Sequence, residues 1–134
     1  MGEHPNIGRV REALAAYDRG DFKSLGTFLA DDIVWHVGGR HPLSGDYRGR
    51  DAVLAYCAKA RSLTGGTLRG EPLEVLANER HAGVFNRVTG MRGDTKLDAI
   101  LAQAVTFDEA GRWKEYWALS SEQDDVDAFW TAAS

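Results

Sequence analysis

From Asn6 to Arg19 the apolar residues Ile7, Val10, Leu14 and Tyr17 recur at spacings of three and four, with Arg9, Glu12 and Arg19 on the other side. This is the stripe of an amphipathic helix that buries one face. Gly20 ends it. Asp21 then stands where it can cap a shorter helix burying Phe22, Leu25, Phe28 and Leu29, until Asp31-Asp32 breaks the pattern. Ile33 to Val37 reads as a strand. Gly38 to Gly49, with four glycines and Pro42, reads as a loop or short hairpin. Asp51 falls in the first turn of a third helix, where a carboxylate suits the dipole, and Val53, Leu54, Cys57 and Ala60 form its apolar side. Arg61 and Gly65-Gly66 close it.

Beyond Gly66 the period of the apolar positions changes from about 3.6 to 2, and four β-runs are predicted: Thr67 to Ala77, His81 to Arg92, Thr95 to Asp108, and Arg112 to Ser121. Asn78-Glu79, Gly93-Asp94 and Glu109-Ala110-Gly111 are hairpin-length connections, which predicts antiparallel pairing. The Arg-Gly-Asp triplet at Arg92 to Asp94 is accounted for by such a turn. Ser120 to Gln123 has the spacing of a capping box, and a final helix is expected to bury Val126, Phe129 and Trp130. Helices followed by a long meander make an α+β fold, with three N-terminal helices packed on one face of a strongly curved antiparallel sheet and a short C-terminal helix. Such a sheet closes around a space.

The chain has 134 residues, 43% of them hydrophobic, enough for one domain spanning 1–134 with a real core. A net charge of −4, with Lys and Arg scattered rather than striped, argues against nucleic-acid binding. No apolar run approaches the ~18 residues of a membrane span, and the N-terminus lacks the basic and apolar regions of a secretory signal. A cytoplasmic protein without membrane association is expected. The single cysteine, Cys57, agrees with a reducing compartment. The four histidines lack metal-ligand spacing and no Gly-rich phosphate loop is present, so neither a metal nor a cofactor is expected.

Strand alternation nominates the residues of the enclosed face. Leu97, Ala99, Leu101, Gln103 and Val105 share one face of their strand, with Gln103 its only polar member; Ala82, Val84, Asn86, Val88 and Gly90 share another, with Asn86 its only amide. A buried amide needs a partner, so each is expected to meet the other, a tyrosine, water or a ligand. Ile33, Trp35 and Val37 form the apolar face of the first strand, which directs Trp35 inward and His36 away unless a bulge intervenes. His36 would then be the strand-borne group able to take a proton at neutral pH. His41, in the glycine-rich loop, is placed to swing over the mouth. Tyr17 and Tyr56 lie on helices expected to cover the sheet, each with an apolar body and a hydroxyl for polar ligand atoms.

The stretches Tyr17-Asp-Arg-Gly-Asp-Phe, Phe28-Leu-Ala-Asp-Asp-Ile-Val-Trp, Leu43-Ser-Gly-Asp-Tyr-Arg-Gly-Arg-Asp-Ala-Val and Phe107-Asp-Glu-Ala-Gly-Arg-Trp resemble the SnoaL-like, nuclear-transport-factor-2-like superfamily across nearly the whole chain. The resemblance implies a cone-shaped α+β barrel, a pocket between the sheet and the first helix, and homodimers formed through the outer sheet face. It identifies a fold better than a reaction, since ketosteroid isomerases, epoxide hydrolases and polyketide cyclases share it. Carried across by position, the isomerases' general-base aspartate falls on Val37, their oxyanion-hole aspartic acid on Gln103 and their oxyanion-hole tyrosine on Ala13; one epoxide-hydrolase aspartate falls near Ala118. Continuing the match without gaps turns Tyr116 inward and leaves Trp113 and Trp117 on the outside.

Two functions are open on this reading, beside a third in which the cavity is vestigial and the paired sheets serve protein interaction. One is a cofactor-free acid–base enzyme, an isomerase, cyclase, dehydratase or hydrolase acting on an apolar oxygen-bearing molecule. Its catalytic candidates are His36, Tyr17 and Gln103, with Trp35, Val37, His41, Tyr56, Asn86, Val88, Leu101 and Tyr116 as ligand contacts. The other is a binding protein that encloses a small apolar molecule without transforming it. What separates them is whether a histidine or carboxylate opens into the cavity.

Overall fold

The computed structural model describes residues 3–132. Helix α1 (Pro5–Asp18) starts on a proline at its first turn, and His4 Nδ1 accepts the Asn6 N–H at 3.1 Å. Asp21 caps α2 (Phe22–Gly26), its Oδ1 accepting the Ser24 N–H at 3.1 Å. Strand β1 (Leu29–Val37) follows at once, earlier than the apolar pattern suggested. Leu29 is a strand residue rather than the end of a helix: it pairs with Trp113, and the irregularity between Leu29 and Val34 leaves Asp31 and Asp32 exposed without ending the strand. The glycine-rich segment resolves into a hairpin, with β2 (Gly45–Arg48) antiparallel to β1. Helix α3 (Arg50–Leu63) carries Asp51 in its first turn and buries Val53, Cys57 and Ala60.

The second half is the expected meander: β3 (Arg69–Ala77), β4 (His81–Arg92), β5 (Thr95–Phe107) and β6 (Trp113–Ser120) pair antiparallel in succession. The six strands stand in the order β2-β1-β6-β5-β4-β3. Pairing of β1 with β6 is parallel, so the curved sheet is mixed rather than wholly antiparallel. The reason is topological: β2, α3 and the first three strands of the meander lie between β1 and β6, and strands so far apart in the chain pair without the hairpin that joins β1 to β2 and each meander strand to the next.

Packing divides into two clusters. In one, Val10, Ala13, Leu25, Ile33, Val53 and Cys57 fill the space between helices and sheet. In the other, Leu43, Ala60, Leu68, Leu97 and Phe129 gather under α4 (Gln123–Thr131). Tyr17 and Tyr56 touch both. Of the expected capping box one half forms, Gln123 Oε1 accepting the Ser120 N–H at 3.2 Å; Ser120 Oγ accepts the Glu122 N–H at 3.0 Å instead of that of Gln123, because α4 begins later, with Glu122 at its N-cap. At the other end of α4 the buried Arg92 donates through Nη1 to the carbonyls of Phe129 at 3.1 Å and Trp130 at 2.6 Å. The Arg-Gly-Asp triplet is thus spent internally, with Gly93 at φ 59° making the hairpin turn.

Candidate functional site

Between the inner face of the sheet and helices α1, α3 and α4 lies a cavity of about 350 Å³, a size that suits a small organic ligand. One wall is aromatic. The β1–β6 register sets Trp35 opposite Tyr116, and their rings stack at 3.6 Å between centroids and 19° between planes. Trp113 continues the array, tilted 14° from Trp35 and 8° from Tyr116. Strict alternation from Tyr116 puts Trp113 outside, but the structure buries it. A bulge causes this: Thr106 pairs with Glu115 and Phe107 with Trp113, so Lys114 is the extra residue and the strand's facing reverses before it. Trp117 remains on the outer face, as expected.

Gln103 faces inward on β5, and its Nε2 donates to the Tyr116 hydroxyl at 2.7 Å. Asn86, on the same side of β4, is 6% exposed. The two amides do not meet: Asn86 pairs with Leu101, a diagonal step from Gln103. The Oδ1 of Asn86 and the Oε1 of Gln103 are buried without a hydrogen-bond partner among the described residues. Gly70 makes room for Asn86, since a Cβ there would come within 3.0 Å of its Nδ2.

Tyr17 from α1 and Tyr56 from α3 also line the cavity, together with Val37, Val88 and Leu101. Burial, then the nearby Cys57 thiol and the other tyrosines, pushes the Tyr17 and Tyr56 phenols well above their usual range. Burial raises Tyr116 likewise and carries the Cys57 thiol up to about 12. These hydroxyls therefore stay protonated at neutral pH and serve as donors. His41 lies on the cavity wall, and burial lowers its pKa. Its Nδ1 accepts the Leu43 N–H at 3.1 Å, so the ring is neutral with its proton on Nε2, and its lone pair is already engaged.

His36 is not in the cavity. It sits on the opposite face of the sheet, where Nδ1 meets Asp46 at 2.6 Å and Nε2 meets Glu115 at 2.8 Å, while the ring stacks on Trp117. Placement as a catalytic base is corrected by β-strand geometry, because Trp35 takes the inward direction and no bulge intervenes between them. Two carboxylates require both ring nitrogens to donate, and hydrogen bonding to Glu115 foremost, then to Asp46, raises the His36 pKa against the opposing effect of burial.

Asp18 is a cavity residue that strand alternation could not reveal. It ends α1, its Oδ1 accepting the Gly70 N–H at 2.8 Å. Arg11, Ala15 and Asp18 recur at helical spacing on the side of α1 that faces Arg69 and Gly70, and form the rim. The signal lay at the edge of the apolar stripe, four residues after Leu14. Gln123, Val126 and Trp130 of α4 close the opposite side, where the sequence pattern implies a cap for Gln123 and core packing for the other two.

Residues 10–116 match the SnoaL-like domain. The chain belongs to the SnoaL-like family. An uncharacterised protein of Mycobacterium tuberculosis is 28% identical over 131 residues, covering 97% of this chain and 99% of its own. Among solved structures, Bal32a from a soil-derived mobile gene cassette superposes with a TM-score of 0.89 at 30% identity, over 93% of this chain and 95% of that one. TerC, co-crystallised with polyporic acid, shares the fold with a TM-score of 0.75 at 19% identity, over 88% and 92% of the two chains. In this SnoaL-like chain the four positions onto which isomerase and hydrolase groups map, Ala13, Val37, Gln103 and Ala118, do line the cavity. None is a carboxylate.

The outward His36 yields a pH-dependent stability. Because its folded pKa is raised, the stabilisation is complete below the unfolded value of about 6.5 and is lost as pH rises through the folded pKa. His36→Gln should therefore lower the thermal midpoint more at about pH 5.5 than at about pH 8.5. An equal loss at both, read by differential scanning calorimetry, removes the ionic contribution.

Proposed function

We propose that this SnoaL-like protein encloses a small, largely apolar molecule bearing an oxygen function and acts on it by proton transfer without a cofactor. The observation that carries the reading is one chamber holding both halves of such chemistry: the Gln103–Tyr116 pair on an aromatic wall, and the Asp18 carboxylate. The phenol and amide donors polarise a ligand carbonyl. A C–H bond beside it breaks, its proton passes to the free oxygen of Asp18, and the electron pair is held as an enolate whose oxygen accepts from those donors. Return of the proton to another carbon completes an isomerisation. Asp18 takes the role that His36 cannot fill from the far face of the sheet. That TerC was co-crystallised with polyporic acid lends support to a small-molecule ligand for this fold.

A second reading, binding without turnover, is favoured by one specific observation. Among the described lining residues Asp18 is the sole carboxylate, and the His41 lone pair is occupied by Leu43. The two are separated by α-hydrogen exchange of 2-tetralone in D2O, followed by proton NMR. The enzyme reading expects the protein to accelerate exchange over buffer, and Asp18→Asn to lose about 10²-fold or more of that acceleration. Exchange at the buffer rate removes the enzyme reading and leaves the binding one.

We also propose that the outer sheet face pairs two copies of the chain. Phe85, Ala102 and Leu119 lie in one row across β4, β5 and β6, and Gly83, Ala104 and Trp117 in the next. Phe85 is 51% exposed and Leu119 60%, a contiguous apolar surface with small residues at its centre. Sedimentation velocity should give a dimer for the wild type and a monomer for Leu119→Asp. A monomeric wild type contradicts the pairing.

A further inference from the structure

Two points in the cavity have hydrogen-bonding capacity to spare. Asn86 makes no side-chain hydrogen bond among the described residues, and its Oδ1 is sealed from solvent. Gln103 gives one proton to the Tyr116 hydroxyl, which leaves Oε1 buried without a donor and the phenol proton unengaged. Turning the Gln103 amide over gives the same tally, because Tyr116 then donates to Oε1 while two N–H groups and a phenol lone pair are left. At both points, then, the wall presents two donors and an acceptor side by side.

A ligand group that only accepts, such as a carbonyl or an ether, satisfies half of each point and strands a buried amide oxygen. A hydroxyl does both. The spacing is also set: Asn86 is opposite Leu101, two residues from Gln103, which puts the backbones of the two points roughly 7–8 Å apart on one face of the sheet. Between and beside them the wall is made of nearly parallel rings, Trp35, Tyr116 and Trp113, and apolar Leu101 and Val88. Such a surface favours a flat partner.

We propose that the ligand of this cavity is a flat, apolar molecule carrying two hydroxyl groups, one held by Asn86 and the other by the Gln103–Tyr116 pair. This rests on the reading of the cavity as a binding site and specifies the class of molecule it takes. One hydroxyl, at Gln103–Tyr116, is the oxygen function that the proton transfer would act through, as the enol partner of a carbonyl. The second, at Asn86, fixes the orientation of the ring.

Isothermal titration calorimetry with three probes tests it: naphthalene-2,6-diol, 2-naphthol and 2,6-dimethoxynaphthalene. The diol should bind wild-type protein at least about tenfold more tightly than the dimethyl ether, with 2-naphthol between them. Asn86→Leu and Gln103→Leu should each weaken the diol and leave the ether unchanged or tighter, reducing the difference to under about threefold. The wild-type comparison stands even if a variant fails to fold. Diol and ether of equal affinity overturn the two-hydroxyl assignment while the cavity stays a binding site. A difference that persists in both folded variants overturns the assignment to these residues, and absence of binding by all three probes overturns the pocket reading and the inference together.

Discussion

The pairing of β1 on β6 holds the site together. Without it the N-terminal strand would leave the meander open at one edge, and the aromatic wall would have no second member. Its parallel register sets Trp35 against Tyr116, and the bulge at Lys114 brings Trp113 to the same side. Three rings from two strands then form a stiff apolar surface. Tyr116, anchored in that stack, can present its hydroxyl to Gln103 at a fixed place. A site made on strands in this way is more rigidly posed than one made on loops.

Polarity inside the chamber is sparse and placed by contrast. Burial keeps Tyr17, Tyr56 and Tyr116 protonated, so the interior offers hydrogen-bond donors rather than charges. The carboxylate, Asp18, stands at the rim where α1 meets β3 and is oriented by the Gly70 N–H. The unpartnered oxygens of Asn86 and Gln103 are costly to leave bare in an apolar setting. A third buried group without a partner among the described residues, Arg92 Nε, lies away from the cavity; the two oxygens on the cavity wall are the physical reason to look for a ligand with matching groups. On the outer face the arrangement inverts, with an ion-paired His36 beside exposed Trp117 and Leu119.

Much of this was legible in the chain because strand alternation is a strict rule. The faces carrying Leu97, Leu101 and Gln103, and Asn86 and Val88, could be assigned from period alone, and the inward Trp35 forced His36 outward. Helix α3 likewise declared its buried stripe, while in α1 Ile7, Leu14 and Tyr17 are half-buried and the fully buried side turns to Asn6, Val10, Ala13 and Ala16. What escaped was set by tertiary geometry. A bulge has no signature in a short strand rich in aromatics, so alternation alone places Trp113 on the outer face and the extra residue at Lys114 turns it inward. The parallel seat of β1 depends on a partner 80 or so residues away, beyond the reach of local pattern. Asp18 sits at the edge of an apolar stripe and becomes a cavity residue only because Gly70 approaches it. Cap and core signals predicted that α4 would be buried, but not that Gln123, Val126 and Trp130 would close a chamber.

The central claim is that the curved sheet wraps Asn86 and Gln103 into a space shielded from bulk solvent. The chain has five side-chain amides, and exposed Asn78 provides an internal reference. Paramagnetic broadening of their NH2 signals by a soluble gadolinium chelate measures that shielding directly. The structure predicts that the Asn78 signals broaden strongly while those of Asn86 and Gln103 persist. Broadening of Asn86 and Gln103 to the same degree as Asn78 would contradict it.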